Sequence, residues 1–96
     1  KIIERNFRKG YGEVDIVAVD RDILVFIEVK TRTSNQFGTP LEGITYWKLK
    51  SLIKMAQFYK ITHRNLPESL RIDAISVTLN GDEVSEIELR KNISGF

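Results

Sequence analysis

The sequence predicts a single α/β (α+β) domain with a central mixed five-stranded sheet and one long crossover helix. Two neighbouring segments, Glu13–Val19 and Ile23–Lys30, are rich in Val and Ile and show no helical period, which favours buried strands. A helix-start pattern follows, and two further strand patterns flank an "NGD" turn. With 96 residues, 42% of them hydrophobic and 29% charged, the composition fits one small globular domain over residues 1–96.

The first three strands are predicted to form a meander. Ile2–Phe7 reads as a short strand, and the two Val- and Ile-rich strands follow, joined by a tight turn at Arg21 and Asp22. Strands joined by short turns run antiparallel. Their uninterrupted apolar runs indicate that both faces of the sheet are covered.

The second half of the chain is predicted to contain the helix and two more strands. In "TPLE", Thr39 is the expected N-cap, Pro40 the first helical residue and Glu42 the end of a capping box. Leu70–Leu79 and Val84–Leu89 form the last hairpin. A strand, helix, strand order requires a crossover that returns the fourth strand parallel to the third. The apolar stripe of the helix comprises Leu41, Ile44, Leu49, Leu52, Ala56 and Tyr59.

The composition limits the classes of function. A formal net charge of +2 permits a polyanionic partner without requiring one. The absence of cysteine excludes a disulfide framework and a thiolate metal site. No run approaches the ~18 apolar residues of a membrane span, and no secretory leader is visible, so we expect a cytoplasmic protein without membrane contact. Because the chain begins at Lys1 without Met, we expect an upstream segment.

Four charged residues lie within or beside the most apolar segment: Glu13, Asp15, Glu28 and Lys30. A two-residue turn at positions 21 and 22 would place Asp15 opposite Glu28 and Glu13 opposite Lys30 on one face, with Cβ atoms roughly 4.5–5.5 Å apart. Two carboxylates that close repel each other unless one is protonated or a cation lies between them. A hard cation such as Mg²⁺ or Mn²⁺ is the natural partner, with the carbonyl of Val29 as an additional ligand. Lys30 could then orient a water or stabilise charge on phosphorus.

A structural salt bridge is the alternative interpretation of these charges. In that case Lys30 pairs with Glu13 or Glu28 at the end of a strand. One lysine cannot neutralise three acids, and surplus charge between layers is costly. The residues alone therefore leave both the metal site and the salt bridge open.

The order of short motifs resembles a known family. Asp15 followed by "EVK" at Glu28–Lys30 resembles the core motif of the PD-(D/E)XK nuclease superfamily, which has the restriction-endonuclease-like fold. "GEVD", "VFIEVKTR" and "FGTPLE", in that order, are similar to the bacterial YraN-type family of uncharacterised proteins, related to archaeal Holliday-junction resolvases. The likeness continues through "KLKSLIKMAQFY" and "RIDAISV" to the C-terminal "GF", over essentially the whole chain.

The resemblance implies a metal-dependent endonuclease that hydrolyses phosphodiester bonds in DNA, including structured or branched DNA. Asp15 and Glu28 would bind Mg²⁺ or Mn²⁺, Lys30 would be the catalytic lysine, and Glu13 would lie beside them. Such proteins usually carry an N-terminal helix, which we expect to lie upstream of residue 1 of this sequence. Related resolvases act as dimers, which makes a homodimer an expectation. Two alternatives are a module of the same fold that binds nucleic acid without turnover, and a protein-interaction domain with no nucleic-acid role.

Basic and aromatic residues around the motif could extend a nucleic-acid surface. These basic side chains could form a positive rim that contacts backbone phosphates. Simple exposure to solvent would explain the same residues equally well. Trp47 and Tyr46 could stack on bases or simply pack in the domain. The candidate nucleic-acid-binding residues are Arg8, Lys9, Arg32 and Lys48.

Two further residues are expected to be structural. His63 is alone in the chain and lies near the predicted end of the helix, where it would interact with the C-terminal dipole. Asp73 is expected at the edge of the sheet opposite the charged site, paired with Arg71.

Overall fold

The computed structural model describes residues 1–10, 12–33 and 44–94. The described chain folds in the order β-β-β-α-β-β, as the sequence predicts. The elements are β1 (Ile2–Lys9), β2 (Gly12–Asp20), β3 (Ile23–Thr33), α1 (Tyr46–Thr62), β4 (Ser69–Asn80) and β5 (Glu83–Arg90).

The five strands form one mixed sheet in the order β1-β2-β3-β4-β5. β1, β2 and β3 are antiparallel neighbours, and β4 pairs with β5 in the same way. β4 lies parallel to β3, from Ile23 opposite Ser69 to Thr33 opposite Leu79. The predicted meander and the predicted return of the fourth strand are therefore confirmed, and the architecture is α+β with a mixed five-stranded sheet.

The β2–β3 hairpin sets the register on which the site depends. Its ladder runs from Asp20 opposite Ile23 to Ile16 opposite Ile27, which is the register predicted from the turn. Arg21 in that turn has φ of 60°, a left-handed conformation that is unfavourable for a residue with a Cβ. The ladder ends at the pair formed by Ile16 and Ile27, so β2 and β3 separate beyond it.

The helix α1 is capped at both ends by side chains. Thr45 is the N-cap, and its Oγ1 accepts a hydrogen bond from the backbone N–H of Lys48 at 3.1 Å. The helix start predicted at Thr39 lies outside the described residues. At the other end, Nδ1 of His63 lies 3.0 Å from the carbonyl oxygen of Tyr59, and the two rings stack at 3.9 Å. The predicted role of His63 at the helix end is confirmed.

The core lies between α1 and one face of the sheet. Each of its side chains is at most 2% exposed, and burying one large apolar side chain contributes about 1.5–3 kcal/mol. Tyr59 is central because its ring packs edge-on against Phe7 and Phe26. The buried residues of this core are Val14, Val17, Leu24, Phe26, Leu52, Met55, Ala56, Tyr59 and Ile72.

The expectation that both faces of the sheet are covered is met only in part among the described residues. Within these residues, α1 is the only helix, and it covers one face. Ile16, Ile27 and Ile75, on the other face, are half-buried. Val25, on the same face as these residues, is 2% exposed, so side chains of the described residues cover part of this face without a second helix.

A buried ion pair occupies the face of the sheet away from the helix. Arg71 donates from Nε and Nη2 to the two carboxylate oxygens of Asp73 at 2.9 and 3.0 Å, so the predicted pairing is confirmed. Asp73 also accepts a hydrogen bond from the backbone N–H of Asn92 at 2.9 Å. The predicted location of Asp73 at the opposite edge is wrong, because it lies in mid-sheet opposite Ile27.

Candidate functional site

The candidate site begins at an irregularity in β1 and β2. Val14 and Val17 are both fully buried in the core beneath α1, although strict alternation would place residues three apart on opposite faces. Across the strand pair, the neighbouring pairs Arg5–Ile16 and Phe7–Val14 place Asn6 opposite Asp15, and Asn6 has φ of 56°. The change of face is therefore concentrated at Asp15, where β2 also leaves its ladder with β3.

Asp15 bridges the separated strands with its side chain. Its Oδ2 accepts a hydrogen bond from the backbone N–H of Val29 at 2.7 Å. In an extended strand the N–H and C=O of one residue point to the same edge. The carbonyl of Val29 therefore faces the same opening between β2 and β3 as the carboxylate of Asp15.

Glu28 brings a second carboxylate into this opening and is almost fully buried. Its side chain is 7% exposed. Burial raises the pKa of Glu28, and the charge of Asp15 and a hydrogen bond with it raise this pKa further, while Lys48 opposes the shift. The environment thus disfavours a second negative charge unless more positive charge is supplied.

Lys48 contributes the nearest positive charge. Its Nζ lies 3.4 Å from Oε2 of Glu28, and its side chain is one-third exposed. Lys48 was predicted to lie on the outer rim of a nucleic-acid surface, whereas its ammonium lies against the buried carboxylate of Glu28. The difference arises because the first turn of α1 brings Lys48 beside Glu28 of β3, a contact between distant parts of the chain that side-chain periodicity does not predict.

Lys30 extends the same face of β3. It lies two residues after Glu28, and its partner across the parallel ladder is Ser76. Among the described residues, the ammonium of Lys30 forms no ion pair. The hydroxyl of Ser76 is buried and has no hydrogen-bond partner in the part of the chain that is described. The hydroxyl of Ser76, which no sequence pattern indicated, therefore also lines this face.

The prediction that Glu13 shares this face is wrong. A Cβ on Gly12 would lie 2.7 Å from the side chain of Ser51 in α1, and Val14 is buried beneath the same helix. Glu13, between them, therefore points to the other face. There it accepts a hydrogen bond from Nε of Arg8 at 2.7 Å in an exposed ion pair.

The predicted rim residues are distributed rather than clustered. Arg8 forms an ion pair with Glu13, and the ammonium of Lys9 lies 4.7 Å from the ring centre of Phe58. Arg32 is half-buried, two residues beyond Lys30 and on the same face by alternation. Of the four candidates, Lys48 lies closest to the paired acids.

The donor set suits a hard divalent cation. Residues 1–10, 12–33 and 44–94 contain no group of three or more His, Cys, Asp or Glu side chains arranged to bind a metal. Asp15, Glu28 and the carbonyl of Val29 nevertheless offer oxygen ligands in one opening. Mg²⁺ commonly takes only one or two protein carboxylates and keeps several waters. The residues present therefore fit such an ion.

The fold and the site together define a small α+β protein in which the open end of a mixed sheet holds two adjoining carboxylates flanked by lysines. The chain belongs to the uncharacterised protein family UPF0102, whose sequence profile matches residues 1–77. No helix in the described residues is long and apolar enough to cross a membrane.

Relatives in several bacteria bear the same family name. A UPF0102 protein of Geobacter metallireducens is 44% identical over 88 residues, covering 92% of this chain and 71% of the relative. A UPF0102 protein of Caldanaerobacter subterraneus is 35% identical over 96 residues, covering all of this chain and 79% of the relative. One from Clostridium botulinum is 48% identical over 82 residues and is covered to 65% of its length. These names specify a family and no activity.

Proposed function

We propose that this protein is a Mg²⁺- or Mn²⁺-dependent endonuclease of the PD-(D/E)XK type that hydrolyses phosphodiester bonds in DNA. The observation that carries the proposal is the pair formed by Asp15 and Glu28. These carboxylates adjoin in a buried opening, and the pKa of Glu28 remains raised although Lys48 lies beside it. A site that still favours added positive charge is suited to a divalent cation.

Each residue of the opening has a role in this proposal. Asp15 and Glu28 would hold the cation, together with the carbonyl of Val29. When bound, a divalent cation polarises phosphoryl oxygens and lowers the pKa of a bound water. Lys30, on the same face as Glu28, donates hydrogen bonds to a phosphate oxygen or to the attacking water. Lys48 balances the charge of Glu28 and supplies positive potential for the DNA backbone.

The architecture supports assignment to the restriction-endonuclease-like fold. The two acids come from adjacent antiparallel strands, and a helical crossover returns the chain parallel to the strand that holds Glu28 and Lys30. The site lies where β2 and β3 separate, so an extended substrate could approach the carboxylates from the open end of the sheet.

The test is a cleavage screen with the full chain on duplex, branched and single-stranded DNA and on RNA, with Mg²⁺ and Mn²⁺. We expect metal-dependent cleavage that is lost in Glu28→Ala and falls by at least about 100-fold in Lys30→Ala, the order expected for one transition-state donor. Glu86→Gln is the matched control, because it removes an exposed carboxylate on β5. Cleavage by Glu28→Ala at the parent rate would refute the proposal.

A module that binds nucleic acid without cutting it is the second candidate. The Lys48–Glu28 ion pair favours it, because an ammonium already occupies one flank of the opening. Calorimetry with Mn²⁺ separates the candidates. Binding that is lost in Glu28→Gln supports the nuclease, whereas DNA binding without any Mn²⁺ binding supports the module. The homodimer stays a prediction, which sedimentation of the full chain would measure.

A further inference from the structure

An exposed aromatic pair lies at the start of α1, directly before the lysine that contacts the buried acid. Tyr46 is 65% exposed and Trp47 is 74% exposed. Their ring centres are 5.3 Å apart in an edge-to-face arrangement. Among the described residues, the two rings therefore do not pack into the core of the domain.

One lysine contacts both rings, and a second lines the cleft beside them. The ammonium of Lys50 lies 5.4 Å from the ring centre of Tyr46 and 5.8 Å from that of Trp47. A shallow cleft of about 210 Å³ is lined by Trp47, Lys50, Ser51 and Lys54, which share one side of the helix at spacings of three, four and seven residues. The surface thus combines a broad aromatic face with two ammonium groups.

The position of this surface links it to the candidate site. Trp47 immediately precedes Lys48, whose ammonium lies 3.4 Å from Glu28. Ser51, on the floor of the cleft, lies against Gly12 at the start of β2. A chain of phosphates approaching the opening between β2 and β3 would therefore pass beside the aromatic pair.

We infer that Trp47, supported by Tyr46 and Lys50, is a stacking platform for an unpaired base of a nucleic acid whose backbone reaches the Asp15–Glu28 site. A nucleobase is the occupant that matches both features, since its flat face stacks on an indole and its phosphate is attracted by the lysines. The inference rests on the proposed function for the identity of the neighbouring site. It narrows the proposed DNA substrate to DNA with single-stranded character.

The first experiment uses the chain's only tryptophan as the probe. The full chain, in buffer without divalent metal, is titrated with a single-stranded oligothymidylate and separately with a blunt duplex of equal length. Stacking predicts saturable quenching of Trp47 fluorescence by the single strand and little quenching by the duplex. Binding of both probes without quenching would overturn the inference.

The second experiment measures the binding of labelled oligothymidylate by anisotropy. We expect Trp47→Ala to weaken binding by roughly five- to 150-fold, the range for losing one base–aromatic stack, and Trp47→Phe to weaken it less. Ile61→Ala is the matched control: it removes a side chain that is 71% exposed at the other end of the same helix and should leave affinity unchanged. An equal effect of both alanine variants would overturn the inference.

These measurements separate failure of the platform from failure of the nuclease proposal. If cleavage requires Glu28 while Trp47→Ala binds and cuts like the parent, the platform is refuted and the nuclease stands. If Trp47→Ala loses affinity while no substrate is cut, the platform stands. A fluorescence change that follows protein concentration without nucleic acid would mean that a second copy covers Trp47, which also refutes the platform.

Discussion

Replacing Lys48 by Met tests the electrostatics of the site directly. At 3.4 Å, the Lys48–Glu28 attraction is about 5 kcal/mol gross with an effective dielectric constant of about 20. The net value is far smaller because Lys48 is one-third exposed and because Glu28 can take up a proton when its partner is lost. We therefore expect Lys48→Met to lower the free energy of unfolding by about 1–2 kcal/mol at pH 7.

The pH dependence of that loss follows from the direction of the shift. The pKa of Glu28 is raised in the folded protein, and removing Lys48 raises it further. Below the ordinary pKa of a glutamate, about 4.3, the group is neutral in both states, so the variant should match the parent. The deficit should appear as the pH rises through the folded-state pKa, because charging the buried carboxyl then opposes folding.

The assay is urea unfolding of both proteins at about pH 4 and pH 7. The double variant Lys48→Met/Glu28→Gln should recover most of the loss at pH 7, whereas Lys54→Met, on an exposed part of the same helix, should change little. Mn²⁺ should stabilise Lys48→Met more than it stabilises the parent, since the cation replaces the missing ammonium. An equal deficit at both pH values, or no recovery in the double variant, would show that Lys48 acts through packing instead.

Three other predictions concern the frame that holds the site. Burial raises the pKa of Tyr59 to about 12. The free energy of unfolding of the parent should therefore fall by about 2–3 kcal/mol as the pH rises from 10 through 12. Tyr59→Phe should abolish this fall in unfolding measured at alkaline pH. Asp73→Ala should cost about 1.5–3 kcal/mol in chemical unfolding, because it removes two hydrogen bonds from Arg71 and leaves that guanidinium only the half-exposed carboxylate of Asp20 at 3.2 Å. A cost below about 1 kcal/mol would contradict this assignment. Gly12→Ala should cost about 1–3 kcal/mol because its Cβ would lie 2.7 Å from Oγ of Ser51, and adding Ser51→Ala should relieve part of the cost in the same assay.

The sequence predicted the β2–β3 hairpin and its register well. A two-residue turn leaves little freedom in how the flanking strands pair, so the ladder from Asp20–Ile23 to Ile16–Ile27 follows from local chemistry and brings Asp15 and Glu28 to the same end of the hairpin. The return of β4 beside β3 was equally accessible, since a crossover connection has few alternatives. These are features for which short-range rules and chain connectivity are sufficient.

The placement of Glu13 shows where those rules stop. Alternation predicted that Glu13 and Asp15 share a face, whereas the structure changes face near Asp15, opposite a left-handed Asn6. That irregularity is favoured by burying both Val14 and Val17 beneath α1, an effect of packing between distant parts of the chain. No pattern within β2 contains this information.

By itself the sequence determined the strand order, the hairpin register and the residue types of the candidate site: two acids and a lysine on neighbouring strands. Only the tertiary structure decided that Glu13 leaves the site, that Lys48 enters it and that Trp47 faces solvent beside it. The physical reason is that periodicity and turn chemistry act over a few residues. The charge and exposure of a site depend on which surfaces the helix and sheet bring together.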